Sequence, residues 1–309
     1  MSIVPDKNYA YSHVSCVLKL ENRTESNLSR MANALGLYER EYYFYEAISR
    51  YVNVKIPKFY GLVKDAGFCT IGILLQNLSS SCNLALNLNT ESPDVSLRVL
   101  AACADLHARF WNAPLQTAFP LLRKNDDPLF NPVWSDYVAE RWPAFEEKWR
   151  NVLRPDQMAK GRDIVSRFAE IQASLSDTHL TLIHGDVKAG NLFFDKKDRT
   201  PYFLDWQYVG IGKGVQDVVF FMIESYEMST IKRYFKMFKM YYYTMLVDKG
   251  VQGYSEEAYE ADFRNAAFYF PFFVAVWFGT TSEDDLIDKN FPYFFIQRLF
   301  HFYDMLATA

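Results

Sequence analysis

The chain has 309 residues, half of them hydrophobic and 23% charged, with a formal net charge of −4. That is enough apolar material for one or two cores. The acidic balance leaves no basic stripe to neutralise a phosphate backbone, so nucleic acid is excluded as an expected partner.

The opening MSIVPDKNYAYSHV has no apolar run of the kind a targeting peptide needs, so a cytoplasmic location is expected. Cys16, Cys69, Cys82 and Cys103 lack the close pairing of a zinc or redox motif and read as free thiols of a reducing compartment. Residues 13–20 alternate apolar and β-branched side chains as a strand does, with Lys19 inside it. Residues 27–51 turn to three- and four-residue spacing (Leu28, Met31, Ala32, Leu35, then Tyr38, Tyr42, Tyr45), which predicts a helix interrupted at Gly36. Two further strands are expected at 56–61 and 70–75, joined by a turn at Asp65 and Gly67.

The small polar residues 76–81 predict a linker between lobes, which divides the chain into an N-terminal lobe over 1–78 and a mainly helical lobe over 79–309. Helices are expected at 95–111, 133–149, 155–174, 215–227, 230–247, 255–278 and 292–306. The apolar run at 268–278 contains Pro271 and falls short of the roughly 20 residues of a bilayer span, so no membrane insertion is expected. One stretch, 180–214, breaks the helical pattern: strand, polar loop, strand (192–194), turn (196–199), strand (202–204), glycine-rich loop. An isolated hairpin is only marginally stable, so these strands are expected to hold side chains in place.

The polar loop carries His184-Gly185-Asp186-Val187-Lys188-Ala189-Gly190-Asn191, with Leu204-Asp205 at a strand end fourteen residues after Asn191. Phosphoryl transfer needs this set of groups. One carboxylate orients the incoming hydroxyl and accepts its proton, which suits Asp186; an amide oxygen and a second carboxylate hold Mg²⁺, which suits Asn191 and Asp205. Magnesium takes few protein oxygens and completes its shell with water or phosphate, so no histidine or cysteine cluster is required. His184 suits bracing the loop. Lys188 suits either a donor to the transferring phosphate or a solvated loop lysine. Gly210, Gly212 and Gly214 form G-x-G-x-G, but Val215 and the absence of a following acidic strand end exclude a dinucleotide fingerprint. They are expected to shape the turn after Asp205.

On these residues the chain resembles the aminoglycoside phosphotransferase, choline kinase and ecdysteroid-kinase-like group, small-molecule kinases that share the protein-kinase fold. His184 to Asn191 is similar to the catalytic loop of that group, and Leu204-Asp205-Trp206-Gln207 to its metal-binding segment, where protein kinases read Asp-Phe-Gly. Ala104-Asp105-Leu106-His107-Ala108-Arg109-Phe110-Trp111 and Leu74-Leu75-Gln76-Asn77-Leu78-Ser79 resemble a recurrent helix end and the segment lining the adenine pocket. The resemblance runs from Lys19 to about Asp217. It implies a bilobal α/β (α+β) kinase-like fold with a shortened N-lobe, ATP and Mg²⁺ as cofactors, and transfer of the γ-phosphate to a small-molecule hydroxyl acceptor. It also implies that Lys19 grips phosphates and pairs with Glu41, with Glu39 and Glu46 as rival partners, that Gln76, Asn77 and Leu78 line the nucleotide site, and that Asp217 hydrogen-bonds the catalytic loop.

A kinase of this type carries a glycine-containing loop before its strand lysine, whereas the first glycine here is Gly36. Either a preceding segment is missing, or the phosphates are covered differently, or activity is weakened. The last option opens a second reading, a catalytically weak or inactive relative acting as a sensor or interaction module. A protein kinase proper would need an activation segment that the ten residues after Asp205 leave little room for, so that reading ranks last. Glu283, Asp284, Asp285 and Asp288 either attract a cationic acceptor or form a solvated acidic turn.

Overall fold

The computed structural model describes residues 15–24, 26–84, 86–128 and 134–307. His13 and Val14 of the expected first strand, and Val133 at the head of an expected helix, lie outside the described residues.

Strands β1 (Cys16–Leu20), β2 (Phe59–Lys64) and β3 (Thr70–Gln76) form an antiparallel sheet with β3 in the middle. The turn between β2 and β3 forms because the Asp65 carboxylate accepts from the N–H groups of Gly67 at 2.9 Å and Cys69 at 3.0 Å. The strand expected from 56 starts only at Phe59, since Pro57 has no N–H to give a ladder.

The helix expected over 27–51 comes in pieces. Helix α1 (Asn27–Ala34) starts at Ser26, whose hydroxyl accepts from Ser29 N–H at 3.1 Å. Gly36 then takes φ 58°, a left-handed conformation that stops a helix and costs glycine least. Helix α2 (Leu37–Tyr43) restarts the chain and passes through a π-helical turn at Phe44–Ile48 into a 3-10 turn at Ser49–Tyr51.

Next come β4 (Cys82–Leu84), α3 (Pro93–Arg109), α4 (Leu115–Ala118), α5 (Trp134–Trp149), α6 (Pro155–Ser166), α7 (Phe168–Ser174), β5 (Thr181–Ile183), β6 (Leu192–Asp195), β7 (Pro201–Phe203) and β8 (Gly210–Gly212). Five helices close the chain: α8 (Val215–Ser225), α9 (Met228–Asp248), α10 (Glu256–Phe268), α11 (Phe270–Thr280) and α12 (Phe291–Leu306). Two expected helices are split. Arg167 separates α6 from α7, and Tyr269 separates α10 from α11, where Pro271 removes a backbone donor.

Two short strands went unread in the sequence. Directly after the polar stretch 76–81, β4 pairs with β6, Cys82 opposite Asp195. Gly210 and Gly212 are not a loop but part of β8, which pairs with β5. Helices α8 and α11 are apolar on nearly every face and sit at the centre of the helical part, with α5, α10 and α12 packed round them. No helix among the described residues is long and apolar enough to cross a membrane.

Packing of α5 on α6 depends on one small residue. A Cβ on Gly161 would lie 2.1 Å from the buried Trp142 ring. Gly161→Ala is expected to destabilise the fold by about 1–3 kcal/mol through overpacking, read as a lowered midpoint in thermal denaturation; an unchanged or raised midpoint would refute the tight α5–α6 contact.

Candidate active site

Two ladders bracket two loops. Strand β6 pairs antiparallel with β7, Leu192 opposite Phe203, while β5 pairs with β8, Ile183 opposite Gly210. The loop over 184–191 therefore runs beside the segment over 204–209. Leu204 stitches them together: its N–H donates to the Asn191 carbonyl at 3.0 Å, and its carbonyl accepts from His184 Nε2 at 2.9 Å. His184 Nδ1 accepts from Asp186 N–H at 3.2 Å. Both ring nitrogens are thus committed to backbone, the ring is the neutral Nε2–H form, and burial lowers its pKa against the pull of Asp217. His184 holds the loop in shape rather than offering a nitrogen to a ligand.

Gly185 cannot carry a side chain. Its φ is 84°, and a Cβ there would lie 2.2 Å from the Tyr208 carbonyl oxygen. From α8, the buried Asp217 carboxylate accepts from His184 N–H at 2.8 Å and Gly185 N–H at 2.7 Å. The other side of Asp217 meets His107 Nε2 on α3 at 3.1 Å, and His107 Nδ1 meets the Tyr242 hydroxyl on α9 at 2.8 Å. Asp217 is therefore occupied with the loop backbone, beyond any effect of its place in the first turn of α8.

Asp186, 6% exposed, receives Asn191 Nδ2 at its own carbonyl and at Oδ2, both at 2.9 Å, and Lys188 Nζ lies 3.0 Å from that same Oδ2. Burial raises the Asp186 carboxyl above the ordinary carboxylate range, with Lys188 opposing. Across the cleft, Lys19 on β1 bonds Glu41 at 2.7 and 2.9 Å and Asp205 Oδ1 at 2.9 Å. Burial alone would lower the Lys19 pKa; the attraction of Glu41, then of Asp205, outweighs it and raises it. Glu39 and Glu46 are exposed, so the buried Glu41 is the partner of the three. Asp205 itself sits at φ 62°, a left-handed backbone uncommon outside glycine, which aims its carboxylate back toward Lys19. The next residue, Trp206, is buried and stacks on Phe44 with centroids 3.9 Å apart.

The remaining oxygens suit a hard cation. Among the described residues no hydrogen bond engages Asn191 Oδ1 or Asp205 Oδ2. No cluster of three His, Cys, Asp or Glu able to hold a metal occurs among the described residues either. A cation here would complete its shell with water and phosphate oxygens, as Mg²⁺ does. Gln76 ends β3, and Asn77 and Leu78 follow it. Gln76 brackets Lys58, Asn77 bonds Ser15, and Leu78 is buried with its carbonyl capping Ser81 and Cys82.

A cavity of about 430 Å³ opens beside the loops, lined by Asp186, Lys188, Asp205, Gln207 and Tyr208, and beyond them by α8, α11 and the segment after α11. Of the acidic cluster only Asp288 lines it; Glu283–Asp285 form an exposed 3-10 turn.

The sequence matches the phosphotransferase enzyme family (APH) over residues 26–246. The chain belongs to that family. A choline/ethanolamine kinase family protein from Mesorhizobium loti superposes with a TM-score of 0.53 at 15% identity, over 95% of this chain and 82% of that one. Choline kinase LicA from Streptococcus pneumoniae gives 0.54 at 12%, over 97% and 88%. The GDP complex of wild-type aminoglycoside 2'-phosphotransferase-IIIa gives 0.54 at 12%, over 90% and 84%. At such identities the likeness establishes the fold, which is protein-kinase-like. No curated protein matches the sequence.

Sequence reasoning missed one charged residue of this phosphotransferase's cavity. Glu224 lines the cavity from α8. The signal was present, since Glu224 lies seven residues after Asp217 and so on the same helical face. Burial pushes its carboxyl up to about 7, with Lys188 opposing and Asp186 adding. The folded chain therefore holds the Glu224 proton more tightly than the unfolded chain, and stability falls as pH rises from about 4.5 to about 7. Glu224→Gln lacks that loss. Its melting temperature relative to wild type should climb across this window and level off above it, and a pH-independent difference would contradict the buried carboxylate.

Removing Asp217 leaves two buried N–H groups without an acceptor, each worth roughly 1–3 kcal/mol. Asp217→Ala should lower the melting temperature strongly, whereas Asp217→Asn, which keeps one acceptor oxygen, should recover part of the loss. Equal melting of the alanine variant and wild type would exclude Asp217 from supporting the loop.

Proposed function

We propose that this phosphotransferase moves the γ-phosphate of MgATP to the hydroxyl of a small molecule. The observation that carries the reading is that Asp186, Lys188 and Asp205 line one cavity while Lys19, paired with Glu41, reaches Asp205 from the opposite sheet. Residues 1–78 form the nucleotide lobe in this reading, with Gln76, Asn77 and Leu78 beside the base, and 79–309 carry catalysis and the acceptor.

The division of labour follows from charge. Lys19 binds phosphate oxygens and is fixed in direction by Glu41. Asn191 and Asp205 hold Mg²⁺, which when bound neutralises part of the phosphate charge. Asp186 receives the hydroxyl proton of the acceptor; its raised pKa makes it a stronger base than a free carboxylate. Lys188, 3.0 Å from Asp186, stabilises negative charge that develops on the transferring group. The choline, ethanolamine and aminoglycoside kinases that share the fold are consistent with a small-molecule acceptor.

MgATP should raise the melting temperature of the wild type by mass action, and Asp205→Ala should remove most of that shift; equal stabilisation of the two proteins would rule out the metal assignment. Asp186→Asn should keep the nucleotide shift and lose phosphate transfer by about two to four orders of magnitude, the usual worth of a general base. Because the base must be ionised, kcat/KM should fall with decreasing pH through a value above the ordinary carboxylate range, read from a pH–rate profile. Nucleotide binding without any transfer from wild type would favour the sensor reading.

A further inference from the structure

The cavity beside Asp186 is walled unlike a site for a polar cation. Phe270, Val274, Trp277 and Phe278 of α11 form one side, Met31, Ala32 and Leu37 another, and Leu286, Ile287 and Phe291 the mouth. Ile287 is 95% exposed, so it contributes nothing to the packed core, yet it lines the cavity. An isoleucine held in water at the mouth of an apolar cavity is desolvated only by something apolar lying across it.

The charges point the same way. Apart from Asp186 and Asp205, the carboxylates that line the cavity are Glu224 and Asp288. Glu224 is half-buried on α8 with Lys188 as its nearest opposing charge, and Asp288 is exposed and accepts from Asn290 N–H at 2.9 Å. Two such groups do not match a polycationic amino sugar. A quaternary ammonium fares no better: Lys188 lines the same space, and the Tyr208 ring already carries Arg40 at 5.8 Å. Rings reach the cavity from four helices, Tyr38 on α2, Phe220 on α8, Trp277 on α11 and Phe291 on α12, and extend its apolar wall beyond α11.

We propose that the acceptor is an alcohol with a predominantly apolar body, its hydroxyl at Asp186 and its body against α11 and the Leu286–Ile287 mouth. The assignment rests on the phosphotransfer reading, because contact with Asp186 is what makes this the acceptor's cavity.

Calorimetric titration of the full chain with geraniol and with cyclooctanol, beside choline and glucosamine, tests it without requiring turnover. The two apolar alcohols should bind with a negative heat-capacity change, the mark of apolar burial. Ile287→Asp, on an exposed residue whose replacement leaves the core intact, should weaken them by about tenfold while leaving the MgATP melting shift as in wild type. Binding of choline or glucosamine in preference to both alcohols overturns the proposal. So does failure of both alcohols to bind, or equal affinity in Ile287→Asp. The two readings fail separately: alcohol binding with no phosphate transferred from labelled ATP to any of the four compounds removes the phosphotransfer function but leaves an apolar ligand in place, whereas transfer to choline alone keeps the function and removes the ligand class.

Discussion

The peptide groups flanking Leu204 hold the centre together. One donates its N–H to the Asn191 carbonyl and the other accepts a hydrogen bond from His184 Nε2, so the two ends of the loop over 184–191 are fixed to the residue just before Asp205. Two backbone-directed hydrogen bonds thereby set the relative positions of Asp186, Asn191 and Asp205, without any direct bond between Asp205 and the loop. Side-chain rotamers alone could not hold three oxygen-bearing groups to the tolerance that phosphoryl transfer demands. The ladders β5–β8 and β6–β7 are each only a few residues long, too short to be stable alone. Burial against α8, through Asp217 and the Ser225 hydroxyl that accepts from Ala189 N–H at 2.8 Å, supplies what they lack.

Around that frame, negative charge exceeds positive. Glu41, Asp186, Asp205 and Glu224 gather around Lys19 and Lys188, with burial pushing Glu41 and Glu224 up to about 7 and Arg298 adding attraction at Glu224, and a nucleotide would add more negative charge. Bringing phosphates next to these carboxylates is strongly unfavourable without a cation, which is the electrostatic ground for the proposed Mg²⁺. The left-handed backbone at Asp205 fits the same logic. A strained conformation persists where the surroundings over-determine it, here by the Lys19 ion pair on one side and the stacked Trp206 on the other.

Much of this was legible in sequence, and the reason is local. The loop over 184–191 and the strand-end Asp205 are short-range patterns whose offsets follow from one ladder, so reading them needs no knowledge of distant contacts. Helices with clear 3.6-residue spacing, such as α3 and α9, were legible for the same reason. What failed was long-range or very short. Strand β4 has three residues and exists only because β6 is available to pair with it, while the glycines of β8 resemble a loop until β5 is placed beside them. The breaks inside 27–51, 155–174 and 255–278 were hidden because apolar spacing continues across them; only Gly36 and Pro271 announced a change. Glu224 was overlooked because its importance comes from Lys188 and Asp186, neither of which is near it in the chain.

The centre and the acceptor walls come from different parts of the chain, and this has consequences for how such a protein diverges. Asp186, Asn191 and Asp205 sit on loops pinned by backbone hydrogen bonds, where substitution disturbs the geometry those bonds set. Much of the wall comes from α1, the start of α2, α11 and the stretch running into α12, where a change of side chain alters the cavity but leaves Leu204 and Asp217 untouched. Ile287 is the extreme case, since exposure at the mouth means that replacing it costs the fold almost nothing. The proposed acceptor cavity can therefore change its lining without disturbing the loop frame. A shared fold with proteins at 11–15% identity accordingly says little about the acceptor, which has to be read from the side chains of this cavity.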